Sequence, residues 1–127
     1  MIIGIGTDII EIARIEKVID QTESFFKKVY TEKERAAYLE KNKKVETLAG
    51  LCSAKEAVSK ALGTGFRGFS FLDIEILSND LGKPEVILYG GAKKLSERLG
   101  ITKIHVSISH SRSHATSFVV AEGGEQR

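Results

Sequence analysis

Two different periods of apolar positions run along the chain, and together they predict a mixture of strands and helices. An apolar, glycine-punctuated run at 2–7 indicates an opening strand, with Asp8 at its end. Residues 11–20 carry apolar side chains at helical spacing. Residues 45–62 are the strongest helix prediction, because they contain good helix formers and no proline and stop at Gly63, where a left-handed cap is easy.

The rest of the pattern favours an α+β fold. Thr31 followed by Glu34 is a capping box, which predicts a helix running to about Leu39. The second half of the chain alternates in short stretches, which predict strands at 73–78, 85–89, 103–109 and 115–121 and a helix at 92–99. The polar loop 110–114 is typical of a hairpin. Helix and strand do not alternate regularly, so a doubly wound sheet is disfavoured.

The composition restricts the class of protein but does not identify a function. The 127 residues fit one domain, predicted at 1–122 with a flexible tail at 123–127. Cys52 is the single cysteine. No apolar run approaches the ~20 residues that a membrane span needs. The N-terminus has no basic region before an apolar stretch, so a secretory signal is not expected. We therefore expect a cytoplasmic protein. A net charge of +2 is too weak to indicate nucleic acid, and neither nucleic acid nor membrane is an expected partner.

The candidate chemistry centres on the helix at 45–62. Ser53, Glu56 and Lys60 are spaced i, i+3 and i+7, so they form one polar stripe. One interpretation is a helical ion pair between Glu56 and Lys60, worth only ~0.2–0.5 kcal/mol. The other is a ligand site, because the loop Gly63–Gly65 that follows has small residues and free amides that can hold an anion. A helix stop and a turn explain the same loop without a ligand.

Asp8 also has two interpretations. It either caps the helix that follows or binds a metal. Mg²⁺ takes one or two protein carboxylates and completes its shell with waters and phosphates, which Asp8 and Glu56 match if the fold brings them together. Lys60 would then neutralise phosphate charge.

The histidines His105, His110 and His114 have no zinc-site spacing. His110 opens the polar loop, where a ligand-contacting residue would lie. Neighbouring serines make a Ser–His nucleophile conceivable, but no G-x-S-x-G turn surrounds them, so a hydrolase is disfavoured.

Three segments together resemble the bacterial holo-acyl-carrier-protein synthase family of phosphopantetheinyl transferases. They are Gly4–Asp8 followed by Glu11 and Arg14, the more specific Ala54–Gly65, and Val106–His110, and the turn Gly82-Lys83-Pro84 also matches. The resemblance implies one α+β domain, with an antiparallel sheet packed with a long central helix. It also implies transfer of 4′-phosphopantetheine from coenzyme A to a serine of apo acyl carrier protein, releasing 3′,5′-ADP and supporting fatty acid biosynthesis.

The resemblance also implies residue roles. Asp8 and Glu56 would bind Mg²⁺, and Glu56 would be the candidate base, with His110 as the alternative. The catalytic residues would be Glu56, Lys60 and His110. The coenzyme A site would consist of Lys60, Gly63, Thr64, Gly65, Lys83, Pro84, Ser109 and His110. The carrier protein would dock on Arg14, Lys17 and Phe25. The family forms homotrimers with active sites between subunits.

The chain departs from the family pattern at two places. Leu51-Cys52 stands where relatives often have Arg-Phe, which removes a possible phosphate contact. Ser111 stands where many have Asp, which puts an acidic role there in doubt. Two other classes stay open: a different Mg²⁺-dependent nucleotide-binding enzyme and a non-enzymatic module that binds coenzyme A or a nucleotide.

Overall fold

The computed structural model describes residues 1–41 and 43–124. Within that part of the chain there are five strands and five α-helices. In chain order they are β1 (Ile2–Glu11), α1 (Ile12–Gln21), α2 (Phe25–Val29), α3 (Glu32–Glu40), α4 (Val45–Ala61), β2 (Ile74–Ser78), β3 (Pro84–Leu88), α5 (Gly90–Arg98), β4 (Ile101–His110) and β5 (His114–Gly123). A short 3₁₀ turn, Phe71–Asp73, precedes β2.

The α+β prediction is confirmed. Antiparallel pairing joins three strands in the order β1-β5-β4, and β2 pairs with β3 in a separate antiparallel hairpin. The predicted hairpin near the C-terminus is β4 and β5. The sheet packs against α4, the longest helix, whose residues enter both apolar clusters of the core.

Two glycines let α4 lie directly on the backbone of β1. A Cβ atom built on Gly6 would lie 1.9 Å from the carbonyl oxygen of Ala57, and one on Gly4 would lie 2.0 Å from that of Ala61. Both glycines face the helix, since they are two residues apart on one strand. The strand therefore carries no side chain at the crossing, which brings α4 unusually close to the residues that follow Gly6.

A fully buried ion pair anchors α4 on its other side. Lys55 Nζ lies 2.7 Å from Oε1 of Glu34, and both side chains are 0% exposed. Lys55 also donates to the carbonyl oxygens of Val29 at 2.6 Å and Phe71 at 3.0 Å. Oε2 of Glu34 accepts the N–H of Ile76 at 2.8 Å. This network ties α4 to α2, α3, β2 and the 3₁₀ turn.

The capping box that the sequence predicts is present. Thr31 Oγ1 accepts the N–H of Glu34 at 3.2 Å, and Oε1 of Glu34 accepts the N–H of Thr31 at 2.8 Å. Glu34 thus caps α3 with the same carboxylate that pairs with Lys55. This second contact was not predicted.

The prediction that Asp8 ends the first strand was wrong. β5 provides pairing partners as far as Glu11, which lies opposite His114, so β1 continues past Asp8. Glu11 is the N-cap residue of α1, and Asp8 has no part in capping that helix. Its carboxylate is therefore available to bind a metal ion or to pair with a positively charged side chain.

Two further boundaries also differ from the prediction. His110 is the last residue of β4 rather than the first of the loop. β5 extends to Gly123, whose N–H donates to the carbonyl oxygen of Met1 at 2.9 Å, so the predicted tail at 123–127 begins inside a strand. Residues 125–127 of that tail lie outside the described residues. In the part that the structure describes, no helix has both the length and the apolar character to cross a membrane.

Candidate active site

Asp8 and Lys60 meet at the free edge of β1. Lys60, in the last turn of α4, donates to the carbonyl oxygen of Thr7 at 2.9 Å and lies 3.4 Å from Oδ1 of Asp8. The Asp8 side chain is only 16% exposed, whereas that of Lys60 is half exposed. Among the described residues, the carboxylate that pairs with Lys60 is that of Asp8. The alternative of a helical Glu56–Lys60 pair is therefore not what the structure has.

Glu56 lies one turn before Lys60 and is close enough to Asp8 for the two charges to repel. Partial burial raises the pKa of Glu56, the negative charge of Asp8 raises it further, and Lys60 lowers it in part. The positive charge of one half-exposed lysine therefore neutralises only part of the negative charge of the two carboxylates. Such a pair of acids is a place where a bound cation stabilises the charged form of both.

The donor set fits Mg²⁺. This ion prefers oxygen ligands, takes one or two carboxylates and keeps waters or substrate phosphates in its other positions. Across 1–41 and 43–124, no group of three or more His, Cys, Asp or Glu side chains could hold a metal ion. Asp8 and Glu56 alone would leave most coordination positions open, which suits a metal shared with a phosphate-bearing substrate.

A cavity of about 340 Å³ opens beside the two carboxylates. Its polar lining includes Asp8, Glu56 and Arg14, and Phe25 and Cys52 are among its other lining residues. Two of the three predicted docking residues, Arg14 and Phe25, therefore lie in the same cavity as the predicted metal ligands. Lys17, the third, is exposed on α1 and does not line it.

The glycine loop after α4 has the backbone conformation that its composition requires. Gly63 and Gly65 have φ values of +86° and +65°, which residues with a side chain rarely adopt. Thr64, between them, is exposed and lines a groove of about 900 Å³, together with basic side chains from α5 and neither carboxylate of the candidate pair. The loop continues from the helix that carries Glu56 and Lys60.

The remaining predicted ligand residues form a second group. His110, Pro84 and Gly82 line a groove of about 250 Å³ against the first half of α4. Lys83 and Pro84 also line a cleft of about 390 Å³ between β3 and β4. Neither of these shares a lining residue with the cavity at Asp8. The predicted site residues of one chain therefore include two separate groups, the Asp8 half and the His110 half, and Thr64 lies in a further groove.

Ser109 and His110 point to opposite faces of the sheet, because they are consecutive residues of β4. Ser109 lies beside Thr116 and, one strand further, Ile9, on the face that α4 leaves uncovered. In one chain, the side chains of Ser109 and His110 therefore lie on different faces of the sheet.

The two departures from the family pattern have structural roles. Leu51 packs against both apolar clusters, and Cys52 is 6% exposed. Burial, followed by the charges of Glu56 and Asp8, raises the pKa of the Cys52 thiol to about 12, so it stays protonated. The Ser111 hydroxyl accepts the N–H groups of Ser113 at 3.3 Å and His114 at 3.2 Å, which stabilises the hairpin loop.

Comparison with protein families supports the resemblance seen in the sequence. Residues 4–119 match the model of the 4′-phosphopantetheinyl transferase superfamily. A holo-[acyl-carrier-protein] synthase of Clostridium perfringens is 54% identical over 127 residues, which cover 97% of this chain and 96% of that protein.

Solved structures agree with the sequence relatives. A Plasmodium yoelii acyl carrier protein synthase with ADP bound has a TM-score of 0.90 and 37% identity, and 98% of each chain is covered. A Helicobacter pylori holo-[acyl-carrier-protein] synthase in complex with coenzyme A has a TM-score of 0.82 and 33% identity, covering 93% of this chain and 99% of that one.

Proposed function

The chain belongs to the 4′-phosphopantetheinyl transferase superfamily, and we propose that it is a holo-[acyl-carrier-protein] synthase. It transfers the 4′-phosphopantetheine group of coenzyme A to a serine of an apo acyl carrier protein in a Mg²⁺-dependent reaction. The observation that carries the proposal is the convergence of Asp8, Glu56 and Lys60 on one edge of the sheet. The enzyme acts in the cytoplasm and supports fatty acid biosynthesis.

The reaction is a displacement at phosphorus. The serine oxygen forms a bond to the β-phosphorus of coenzyme A, the bond from that phosphorus to the bridging oxygen breaks, and 3′,5′-ADP leaves with the electron pair. This chemistry needs in-line positioning and neutralisation of charge more than covalent participation by the protein. When bound, Mg²⁺ supplies positive charge to the phosphate oxygens.

The chain's own residues have three tasks. Asp8 and Glu56 would hold the metal, and Lys60, which donates to the carbonyl of Thr7, would neutralise phosphate charge beside them. Glu56 is the candidate base for the serine proton, either directly or through a metal-bound water, because its carboxylate lines the same cavity as the proposed docking residues Arg14 and Phe25. The alternative base, His110, lies in the second half of the site.

We propose that the two halves are joined in a homotrimer, with coenzyme A between the Asp8 half of one subunit and the His110 half of its neighbour. The face of the sheet opposite α4 supports this assembly. Ile5, Ile9 and Phe118 stand on that face and are 60%, 67% and 49% exposed, which is unusual for large apolar side chains on one surface. Ser109 lies on the same face and would be covered by the neighbour.

Replacing Phe118→Lys should therefore produce monomers. Light scattering after size exclusion should show a threefold loss of mass, and transfer activity should fall because each Asp8 half loses its complement. Leu39→Lys is the matched control, since Leu39 is similarly exposed, 52%, but lies on α3. A Phe118→Lys variant that stays trimeric, or an active monomer, would contradict the shared site.

Arg14 and Phe25 support docking of the carrier protein on the cavity wall beside the metal ligands. Carrier proteins are acidic, and opposite charge speeds encounter. Charge reversal, Arg14→Glu, should raise the carrier KM by roughly tenfold, about 1.4 kcal/mol, and leave the coenzyme A KM unchanged. The control reverses an exposed lysine of α5, Lys93→Glu. An unchanged carrier KM for Arg14→Glu rejects this docking surface.

The function itself is tested by mass spectrometry of an apo carrier protein incubated with the enzyme, coenzyme A and Mg²⁺. The carrier should gain one phosphopantetheine, and EDTA should prevent the gain. Breakdown of coenzyme A without any carrier would indicate another Mg²⁺-dependent enzyme. Binding of coenzyme A without turnover on several carriers would indicate a binding module.

A further inference from the structure

Asp8 accepts hydrogen bonds at its main-chain carbonyl from two side-chain hydroxyl groups. Ser53 Oγ donates from α4 at 3.2 Å, and Thr116 Oγ1 donates from β5 at 2.9 Å. Ser53 is 0% exposed, and its oxygen also lies 2.7 Å from Oγ of Ser117, which is 2% exposed. The peptide group of a predicted metal ligand is therefore held from the helix and from the neighbouring strand.

The direction of this chain of bonds follows from counting protons. Each serine hydroxyl has one proton to donate. If Ser53 gives its proton to Asp8 O, then the short contact between the two serines must be donated by Ser117. The bonds run from Ser117 to Ser53 to Asp8, and both buried hydroxyl groups use their only proton.

Ser53 occupies the helix turn that also carries Glu56. The two residues are three apart on α4 and share its polar stripe. A bond from Ser53 to the peptide of Asp8 thus fixes the helix turn of one carboxylate against the backbone of the other. Lys60 makes a second bond of the same kind, to Thr7 O, about two turns beyond Ser53 on α4.

We infer that Ser53 is a positioning residue that sets the separation of the Asp8 and Glu56 carboxylates for the metal ion. Mg²⁺ demands near-ideal geometry, with ligand distances of roughly 2.0–2.1 Å, so a small slip of α4 along β1 weakens its binding. Gly4 and Gly6 permit the close approach of α4, and Ser53 fixes its register. This inference rests on the proposed metal-dependent function.

The test measures metal binding directly, with Mn²⁺ as a spectroscopic probe in place of Mg²⁺. Ser53→Ala should weaken Mn²⁺ binding about tenfold, at the lower end of the effect of removing outer-shell partners of metal ligands. In kinetics it should raise the half-saturating Mg²⁺ concentration by a similar factor and leave kcat at saturating Mg²⁺ within about twofold. Ser96→Ala is the control, since Ser96 is also buried but donates to Lys93 O within α5.

Two further variants keep the inference falsifiable if Ser53→Ala folds poorly. Thr116→Val removes the other hydroxyl from Asp8 O and should weaken Mn²⁺ binding by a few fold; because Thr116 lies on the face that the proposed trimer covers, light scattering must show that the variant keeps the mass of wild type. Adding Ser117→Ala to Ser53→Ala should cause no further loss, because Ser117 acts through Ser53. Unchanged Mn²⁺ affinity in Ser53→Ala and Thr116→Val, with only a lower Tm, overturns the inference but leaves the proposed function intact. Wild-type protein that binds no Mn²⁺ and transfers no phosphopantetheine overturns both.

Discussion

Replacing Glu56→Gln or Asp8→Asn should reduce transfer to a carrier protein by roughly 10²–10³-fold, because each change would remove a negatively charged ligand from the proposed Mg²⁺ ion, which would stabilise several kcal/mol of developing charge. Both variants keep the shape of the side chain, so the loss reports charge and coordination rather than packing. The measurement is kcat/KM, from the rate at which the carrier gains phosphopantetheine. Glu32→Gln, on the exposed first turn of α3, is the control and should retain full activity. Activity within tenfold of wild type in both variants would remove Asp8 and Glu56 from the metal site.

The same Glu56→Gln variant should show the opposite effect on stability. The folded state raises the pKa of Glu56 through burial and the charge of Asp8, so it binds the proton more tightly than the unfolded chain. This tighter proton binding stabilises the folded state. The stabilisation is fully present below the ordinary carboxyl pKa and is lost as the pH rises through the raised pKa of Glu56. In metal-free buffer near neutral pH, Glu56→Gln should therefore melt at or above the wild-type temperature, and Mg²⁺ should raise the Tm of wild type alone. A lower Tm for the metal-free variant would show that the charge of Glu56 stabilises the fold.

The helix stripe could be predicted from the sequence because it depends on the helical period alone. Ser53, Glu56 and Lys60 share one face of any helix through these positions, whatever surrounds it. Their partner could not be assigned that way. Asp8 lies beside these residues because β1 continues past it and pairs with β5 as far as Glu11. The partner of Glu11 is His114, more than one hundred residues away along the chain.

The place of Ser109 and His110 shows how one boundary changes a site prediction. With the strand ending at Ser109 as predicted, His110 would belong to the loop and its side chain could turn towards the same ligand as Ser109. Once β4 includes His110, strand alternation sends the two side chains to opposite faces. This placement is one reason for proposing a second subunit, which periodicity within one chain cannot indicate.

The glycines of β1 carried a local signal that the sequence reasoning did not use. Gly4 and Gly6 are two residues apart, so they clear one face of the strand, which is typical of close backbone approach. Lys55 also gave a signal, because helical spacing places it between Leu51 and Val58 on the apolar side of α4. Its partner, Glu34, belongs to another helix, and local spacing does not pair residues 21 positions apart.

Replacing Lys55→Met should destabilise the protein by about 3–5 kcal/mol, because it leaves the carboxylate of Glu34 buried without a cation. This is a large share of the roughly 5–15 kcal/mol typical of a domain of this size. Urea unfolding gives the change in free energy. Lys93→Met, at an exposed position on α5, should change it by no more than about 0.5 kcal/mol. A cost below about 1 kcal/mol for Lys55→Met would contradict the buried ion pair.

The double variant Lys55→Met with Glu34→Gln separates the charge from the hydrogen bonds. The introduced glutamine side chain would carry no charge, but it would keep an oxygen for only one of the two N–H groups, that of Thr31 on Oε1 or that of Ile76 on Oε2, so we expect it to recover part of the stability lost in the single variant. Replacing a buried ion pair by neutral groups is often tolerated, whereas removing one partner is not. If Lys55 only anchors α4, the recovered variant should also regain transfer activity. A stable double variant that stays inactive would mean that Lys55 also orients Glu56, the residue beside it on α4.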